Sequence, residues 1–356
     1  AASAVKHAAR SRIRYRPPSA PSNSVLSTQI MPQKGLVVAI TGGSGFIGGH
    51  LLDALIDDDS VDRIYVMDIA PTTRWCEKVR FVYTNLAKDV TFDPAESIDV
   101  LYHLAAVSRE PGFEWNEYFD INYEGTRRLL TWASKADIKN IVFTSTGMVF
   151  KAGPYNRKPD EVPSADTAYG ISKALAEQAL SGWQTAKRGR HVAIVRPGAV
   201  FGEGCGGNFV NLHRALRLGT FAYIGGPETV KSCIYVKDLV TLMRGASKLK
   251  GWHVLHGTYP QAPTIGEICD AFCKVFGWRR IIPTVPLKFA LRAAAPLQML
   301  NEMGFSNPVH RRRVEKLHYS TDIDGSGLIG LSLEPEHSLV EAISSWRDEC
   351  APSDPY

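Results

Sequence analysis

Tyr169 and Lys173 stand four residues apart in the stretch Tyr169-Gly170-Ile171-Ser172-Lys173. On a helix that spacing puts a phenol and an ammonium on one face. A phenol titrates near 10, so using one to move a proton at neutral pH calls for a cation beside it. With 13 tyrosines in the chain, roughly one Tyr-x-x-x-Lys pair arises by chance, so spacing alone decides nothing. Position decides. The pair follows by one strand-helix unit the run Phe143-Thr144-Ser145-Thr146, whose hydroxyls open at the carboxyl edge of a sheet, where open α/β folds bind ligands.

A second cluster suits an anion. Thr41-Gly42-Gly43-Ser44-Gly45-Phe46-Ile47-Gly48 follows a strand-like run and opens a helix whose Leu51, Leu52, Leu55 and Ile56 are apolar. Glycines at Gly42, Gly45 and Gly48 permit a tight turn, backbone approach to a pyrophosphate and close helix packing, with the helix N-terminus facing the anion. Asp68 ends the next strand, about 20 residues on. A carboxylate there accepts hydrogen bonds from two ribose hydroxyls and repels a 2′-phosphate, which predicts NAD rather than NADP.

The elements that must position these groups alternate. Strands are predicted near Leu36 to Thr41, Arg63 to Asp68, Val79 to Thr84, Val100 to Leu104, Ile141 to Ser145 and Val192 to Arg196, with helices beginning near Phe46, Trp115 and Ala168. Apolar strands separated by helices mean a parallel sheet covered on both faces. The fold class expected is α/β, a Rossmann-type doubly wound parallel sheet with a smaller mixed C-terminal substrate lobe. Residues 1–34 read as a leader or disordered segment, 35–200 as the dinucleotide-binding domain, to which parts of the C-terminal half return, and 201–350 as the substrate lobe. That lobe holds a strand near Ser232 to Val236 and a closing helix from about Pro335 to Asp348.

Composition removes several classes. The chain has 41 basic and 36 acidic residues, but residues 1–30 hold Lys6, Arg10, Arg12, Arg14 and Arg16 with no acid, so the rest balances at 36 of each. A nucleic-acid partner loses its electrostatic argument. The N-terminal stretch fits a transit peptide, an added leader, or translation upstream of a start at Met31. Cys76, Cys205, Cys233, Cys269, Cys273 and Cys350 form no CxxC pair, which fits a reduced, cytoplasmic setting and no zinc. The apolar stretch Leu287 to Leu300 is broken by Lys288, Arg292 and Pro296, so no membrane span is expected.

Together the glycine motif of type TGxxGxxG, the hydroxyls after the fifth strand, the YxxxK pair and Arg196-Pro197-Gly198 resemble the extended short-chain dehydrogenase/reductase superfamily, over Leu36 to Trp346. Asn122-Tyr123-Glu124-Gly125-Thr126, Tyr169 to Lys173 and Ile234-Tyr235-Val236 resemble nucleotide-sugar epimerases, with UDP-glucose and UDP-N-acetylglucosamine 4-epimerases nearest in kind. The resemblance implies that Tyr169 is the general acid or base, its phenol made acidic by Lys173 and the oxidised nicotinamide ring. Thr146 would hold the reacting sugar oxygen, with Ser145 a second candidate. Hydride would leave sugar C4 for NAD and return to the other face of a 4-keto sugar. It further implies Phe46 and Ile47 in the phosphate turn, Leu104, Ala105 and Ala106 beneath the cofactor, Asn122 holding that loop, and Pro197 at the nicotinamide amide. Asn85-Leu86 stands at the adenine, where the superfamily usually has Asp. Asn208, Lys231 and Arg312 would meet a UDP-sugar, though Arg is commoner than Lys at the second place. Val149-Phe150-Lys151 replaces the usual Val-Tyr-Gly. The family also implies a homodimer.

Two other readings stay open in the sequence. One is a dehydrogenase or ketoreductase on a 4-keto sugar or, as in the related 3β-hydroxysteroid dehydrogenases, on a hydrophobic alcohol. The other, a non-catalytic NAD-sensing relative, is disfavoured because Tyr169, Lys173 and Thr146 are all present. A 4,6-dehydratase would need Asp-Glu after Thr146, where the chain has Gly147-Met148.

Overall fold

The computed structural model describes residues 35–110, 112–293 and 311–350, without the side chains of residues 311–313 and 316. The leader expected over residues 1–34, the apolar stretch past residue 293 and the side chain of Arg312 lie outside the described residues.

Seven strands form one parallel sheet: β1 (Leu36–Thr41), β2 (Val61–Asp68), β3 (Val79–Tyr83), β4 (Val100–His103), β5 (Asn140–Thr144), β6 (His191–Pro197) and β7 (Trp252–Gly257). Their order is β3-β2-β1-β4-β5-β6-β7, a doubly wound sheet that reverses between β1 and β4, as the sequence predicts. Alternation along each strand splits its side chains between two cores. Val38, Ile40, Ile64, Val66 and Val195 pack with Leu51, Leu52 and Leu55 of α1 (Phe46–Ile56) and with Leu239 and Met243 of a helix at Val236–Ala246. Val37, Ala39, Met67, Phe143 and Ile194 face the other way, onto Leu129 and Leu130 of α2 (Gly125–Lys135) and Ala176 and Leu180 of α3 (Ala168–Thr185). Both faces are buried, which is why these strands read as continuous apolar runs.

A third core joins Phe201, Phe209, Tyr235, Phe272 and Trp346, bringing together α4 (Asn208–Leu218), a helix at Ile265–Phe276 and the closing helix Leu339–Cys350. That last helix begins four residues later than predicted. β7 was not predicted at all: Trp252-His253-Val254-Leu255-His256-Gly257 carries two histidines and lacks an apolar run, because it lies at the sheet edge. The helix predicted from Trp115 is interrupted by a π-helical turn at Phe119–Glu124 before α2 begins. Such bulges cluster at functional sites, and this one buries Asn122.

Candidate active site

β1, β4, β5 and β6 run in register, Thr41 beside His103, His103 beside Phe143 and Thr144 beside Val195. The segments that follow them therefore emerge side by side at the carboxyl edge.

The turn after β1 is shaped by what it excludes. A Cβ on Gly48 would stand 2.1 Å from the Gly42 carbonyl oxygen, so no other residue fits without moving the turn. Gly45 caps α1 with no side-chain acceptor, which leaves first-turn N–H groups for an external anion. Phe46 and Ile47 turn inward onto the third core and anchor that helix end. Asp68 closes the far side: its Oδ2 accepts from Ser44 N at 3.0 Å and its Oδ1 from Ala70 N at 3.1 Å. A glycine cradle, open N–H donors and a strand-end carboxylate fit a dinucleotide with a free ribose 2′-hydroxyl. Asn85 Oδ1 accepts from Ala87 N at 2.9 Å, stiffening the turn after β3, while Leu86 is buried and its carbonyl accepts from Arg128 at 2.8 Å.

The loop after β4 is tied from two directions. Leu104 N donates to Thr41 O at 3.0 Å and Ala105 N to Thr41 Oγ1 at 3.3 Å, with Ala106 next in line. Asn122 accepts from Val107 N at 2.9 Å and donates to Val107 O and to Ser172 Oγ, each at 3.0 Å. His103 links these parts, lying 2.7 Å from Thr41 Oγ1 through Nδ1 and 2.9 Å from Thr126 Oγ1 through Nε2. Thr126 gives its one hydroxyl proton to Asn122 O at 2.6 Å, so it must accept from Nε2–H. Nδ1 is then the acceptor of the Thr41 proton. Burial, with the Lys173 charge adding to it, keeps this imidazole neutral.

At the candidate catalytic corner Thr167 caps α3 through Gly170 N at 3.1 Å. A Cβ on Gly170 would lie 2.2 Å from Met148 O, so the glycine lets α3 press against the turn Gly147–Val149. Thr146 starts that turn by accepting from Met148 N at 3.1 Å. Tyr169 is 9% exposed and in polar contact with Thr146. Lys173 is 1% exposed, its Nζ 4.0 Å from the Phe143 ring centre.

Burial dominates the electrostatics of this pair. Burial pushes the Tyr169 phenol up to about 12, Tyr118 adds to that, and only Thr146 pulls it down. Burial likewise pushes Lys173 down to about 7, with Glu177 opposing. In the protein itself desolvation thus outweighs the pairing of the two groups, and the resemblance assigns the remaining acidification to the oxidised nicotinamide ring that bound NAD would bring.

Ser145, expected beside Thr146 at a substrate oxygen, points inward instead and donates to Glu177 Oε1. Thr146 is left as the hydroxyl in contact with Tyr169. Glu177 in turn holds Arg196 through two bonds, at 3.0 and 2.7 Å. Arg196 belongs to a motif the sequence shows but Glu177 is not singled out there, although it lies one turn past Lys173 on the same helical face, the same spacing that revealed the Tyr-Lys pair. Pro197 follows Arg196 at the end of β6.

The residues expected at the substrate are more scattered. Asn208 is exposed at the first position of α4, whose cap, Gly207, offers no side-chain acceptor. Lys231 Nζ donates to Tyr319 O, and burial lowers it to about 8. Among the described residues no group of three His, Cys, Asp or Glu side chains is placed to hold a metal, and no helix is long and apolar enough to cross a membrane.

Comparison with known proteins agrees with this architecture. An N-acetyl-α-D-glucosaminyl-diphospho-ditrans,octacis-undecaprenol 4-epimerase of Escherichia coli O157:H7 is 30% identical over 210 residues, 58% of this chain and 62% of that protein. The chain thus matches less than two thirds of that relative's length. A 3β-hydroxysteroid dehydrogenase/Δ5→4-isomerase of Vaccinia virus is 26% identical over 246 residues, covering 64% of this chain and 68% of its own. Among solved structures, MoeE5 in complex with UDP-glucuronic acid and NAD superposes with a TM-score of 0.68 at 22% identity, over 89% of this chain and 99% of that one. Residues 38–249, which run from β1 past the catalytic corner to the helix after Tyr235, match the family model itself, and the chain belongs to the NAD-dependent epimerase/dehydratase family.

Proposed function

We propose that this chain is an NAD-dependent 4-epimerase of a UDP-linked sugar, working through a transient 4-keto sugar. The observation that carries the reading is the buried Tyr169, in contact with Thr146 and one helical turn from Lys173, at the sheet edge that also bears the glycine turn. The relative at 30% identity is named as a 4-epimerase, and the superposed MoeE5 was solved with a UDP-sugar, which favours this substrate class.

NAD, when bound, supplies a reversible two-electron acceptor. Gly42, Gly45 and Gly48 would cradle its pyrophosphate, Asp68 its ribose, and Pro197 its amide. Leu104, Ala105, Ala106, Asn85 and Leu86 would line the remainder. Thr146 holds the sugar 4-oxygen beside Tyr169. The phenolate form of Tyr169 takes the 4-hydroxyl proton, Lys173 in its charged form steadies that anion, and the same phenol returns the proton to the 4-oxygen at the end. Burial by itself holds the phenol up to about 12, so the phenolate form would depend on the charged Lys173 and on the positive ring that bound NAD would bring. Asn208, at the open N-terminus of α4, and Lys231 are assigned to the diphosphate, and Arg312 is proposed as a second cation there. Among the described residues the cysteines form no disulfide, which suits the reducing, cytoplasmic setting proposed here. We also retain the homodimer the family implies.

Incubating the purified protein with UDP-, GDP- and dTDP-sugars tests this. The C4 epimer of a UDP-sugar should form with no added oxidant and no growth of NADH absorbance. NADH produced at each turnover would instead support the second reading, a dehydrogenase, which the match to the steroid enzyme favours. That outcome should then extend to a 3β-hydroxysteroid.

A further inference from the structure

Glu177 has no part in the proton steps above, yet the pieces of the site meet at it. Its carboxylate takes two N–H donors from Arg196 and the hydroxyl proton of Ser145. Ser145 immediately precedes Thr146 beyond β5, Arg196 immediately precedes Pro197 at the end of β6, and Glu177 sits on α3 one turn past Lys173 and two past Tyr169. Arg196 also donates to Pro159 O at 3.1 Å, so a neighbouring loop is fixed to the same ion pair. The two side chains are only 4% and 7% exposed. A buried pair of this kind seldom adds stability over apolar groups of equal size, so its presence calls for another reason.

The surroundings of Lys173 supply one. Its own helix brings Tyr169 and Glu177, β5 brings the Phe143 ring, and β4 brings His103, which burial keeps neutral. Arg196, from β6, is held by Glu177. Among the described residues Glu177 is the charge that acts on Lys173.

We propose that Glu177 is a positioning residue, its carboxylate locking the ends of β5, α3 and β6 into one frame and standing as the negative charge one helical turn from Lys173. This deepens the function proposed above, since it rests on Tyr169 and Lys173 as the proton-handling pair, but its main test needs no sugar. The two ways Glu177 can matter have opposite signs. As mere packing, its loss would loosen the site, admit water and move Lys173 back up toward an ordinary lysine. As a charge, its replacement in Glu177→Gln leaves Arg196 unopposed and drives Lys173 further down.

In protein carrying carbon-13 at lysine Cε, the resonance missing from Lys173→Met reports Lys173. Its titration midpoint should fall by about one unit or more in Glu177→Gln and rise in Arg196→Met. A rise in both, or no change in Glu177→Gln, overturns the proposal. Should Glu177→Gln not fold, Glu177→Gln combined with Arg196→Met removes both members of the ion pair, and its midpoint is read against Arg196→Met alone, from which it differs only by the Glu177 charge; a lower midpoint supports the proposal, and an equal or higher one overturns it. With a substrate in hand, the kcat-pH profile of Glu177→Gln should shift toward acid while KM stays near its original value. If the unaltered protein turns over no nucleotide sugar, the proposed function fails, and the resonance still decides the role of Glu177.

Discussion

The glycine turn and the catalytic corner share one sheet edge but are built from different materials. Around Gly42 to Gly48 the working groups are backbone: N–H donors at the start of α1, the Gly42 carbonyl that bars a Cβ at Gly48, and Ser44 N on Asp68. Around Tyr169 they are side chains, and most are ionisable and buried: Lys173, Glu177, Arg196 and His103. A backbone cradle binds charge with dipoles that do not titrate. A buried side-chain cluster has properties set by which charges face which, so small changes there should alter chemistry and pH response as well as affinity.

That contrast can be broken at either end. The largest effect is expected from Tyr169→Phe, which should cut turnover by about 10²- to 10⁴-fold while equilibrium dialysis finds NAD binding nearly unchanged. A matching loss of NAD affinity would mean the corner and the cradle are not separable. Gly48→Ala should do the reverse, weakening NAD by tenfold or more, at least ~1.4 kcal/mol, because its Cβ would meet the Gly42 carbonyl at 2.1 Å. Undiminished NAD affinity in that variant would remove the cradle argument.

Lys173 tests the corner through stability. In the folded chain it titrates at about 7, well below the 10.5 of a free lysine, so between those values the unfolded chain binds the extra proton. Stability should therefore rise with pH across this window, by up to ~1.4 kcal/mol per unit, and be poorest below pH 7. Lys173→Met should be more stable than the parent at pH 6 in urea titrations, with the advantage shrinking toward pH 10. A constant difference across that range would show that Lys173 keeps an ordinary ionisation. The smallest effect belongs to Asp68→Asn, expected to raise NADP affinity relative to NAD by about tenfold. If NADP already binds the unaltered protein as tightly as NAD, Asp68 does not read the ribose.

The same contrast explains what could be seen in the sequence. Gly42, Gly45 and Gly48 were legible because a backbone requirement writes itself as glycine at fixed spacing between a strand and a helix. Tyr169 and Lys173 were legible in place, since helical spacing needs no tertiary partner. Their ionisation was not, because the depth of burial follows from Phe143, Met148 and Tyr118 closing around them. Arg196 lay in a motif that was noticed, but its partner Glu177 lies 19 residues away on another element, and Ser145 turned from the substrate side to meet it. β7 escaped because an edge strand with two histidines lacks the apolar run that marked the others.

Epimerisation at C4 requires oxidation and reduction at one carbon of one sugar. Incubation of the protein with UDP-glucose deuterated at C4, followed by NMR of the products, measures this directly. The C4 epimer should form with deuterium still on C4 and no NADH released; deuterium recovered in free NADH, with a 4-keto sugar left behind, would contradict epimerisation.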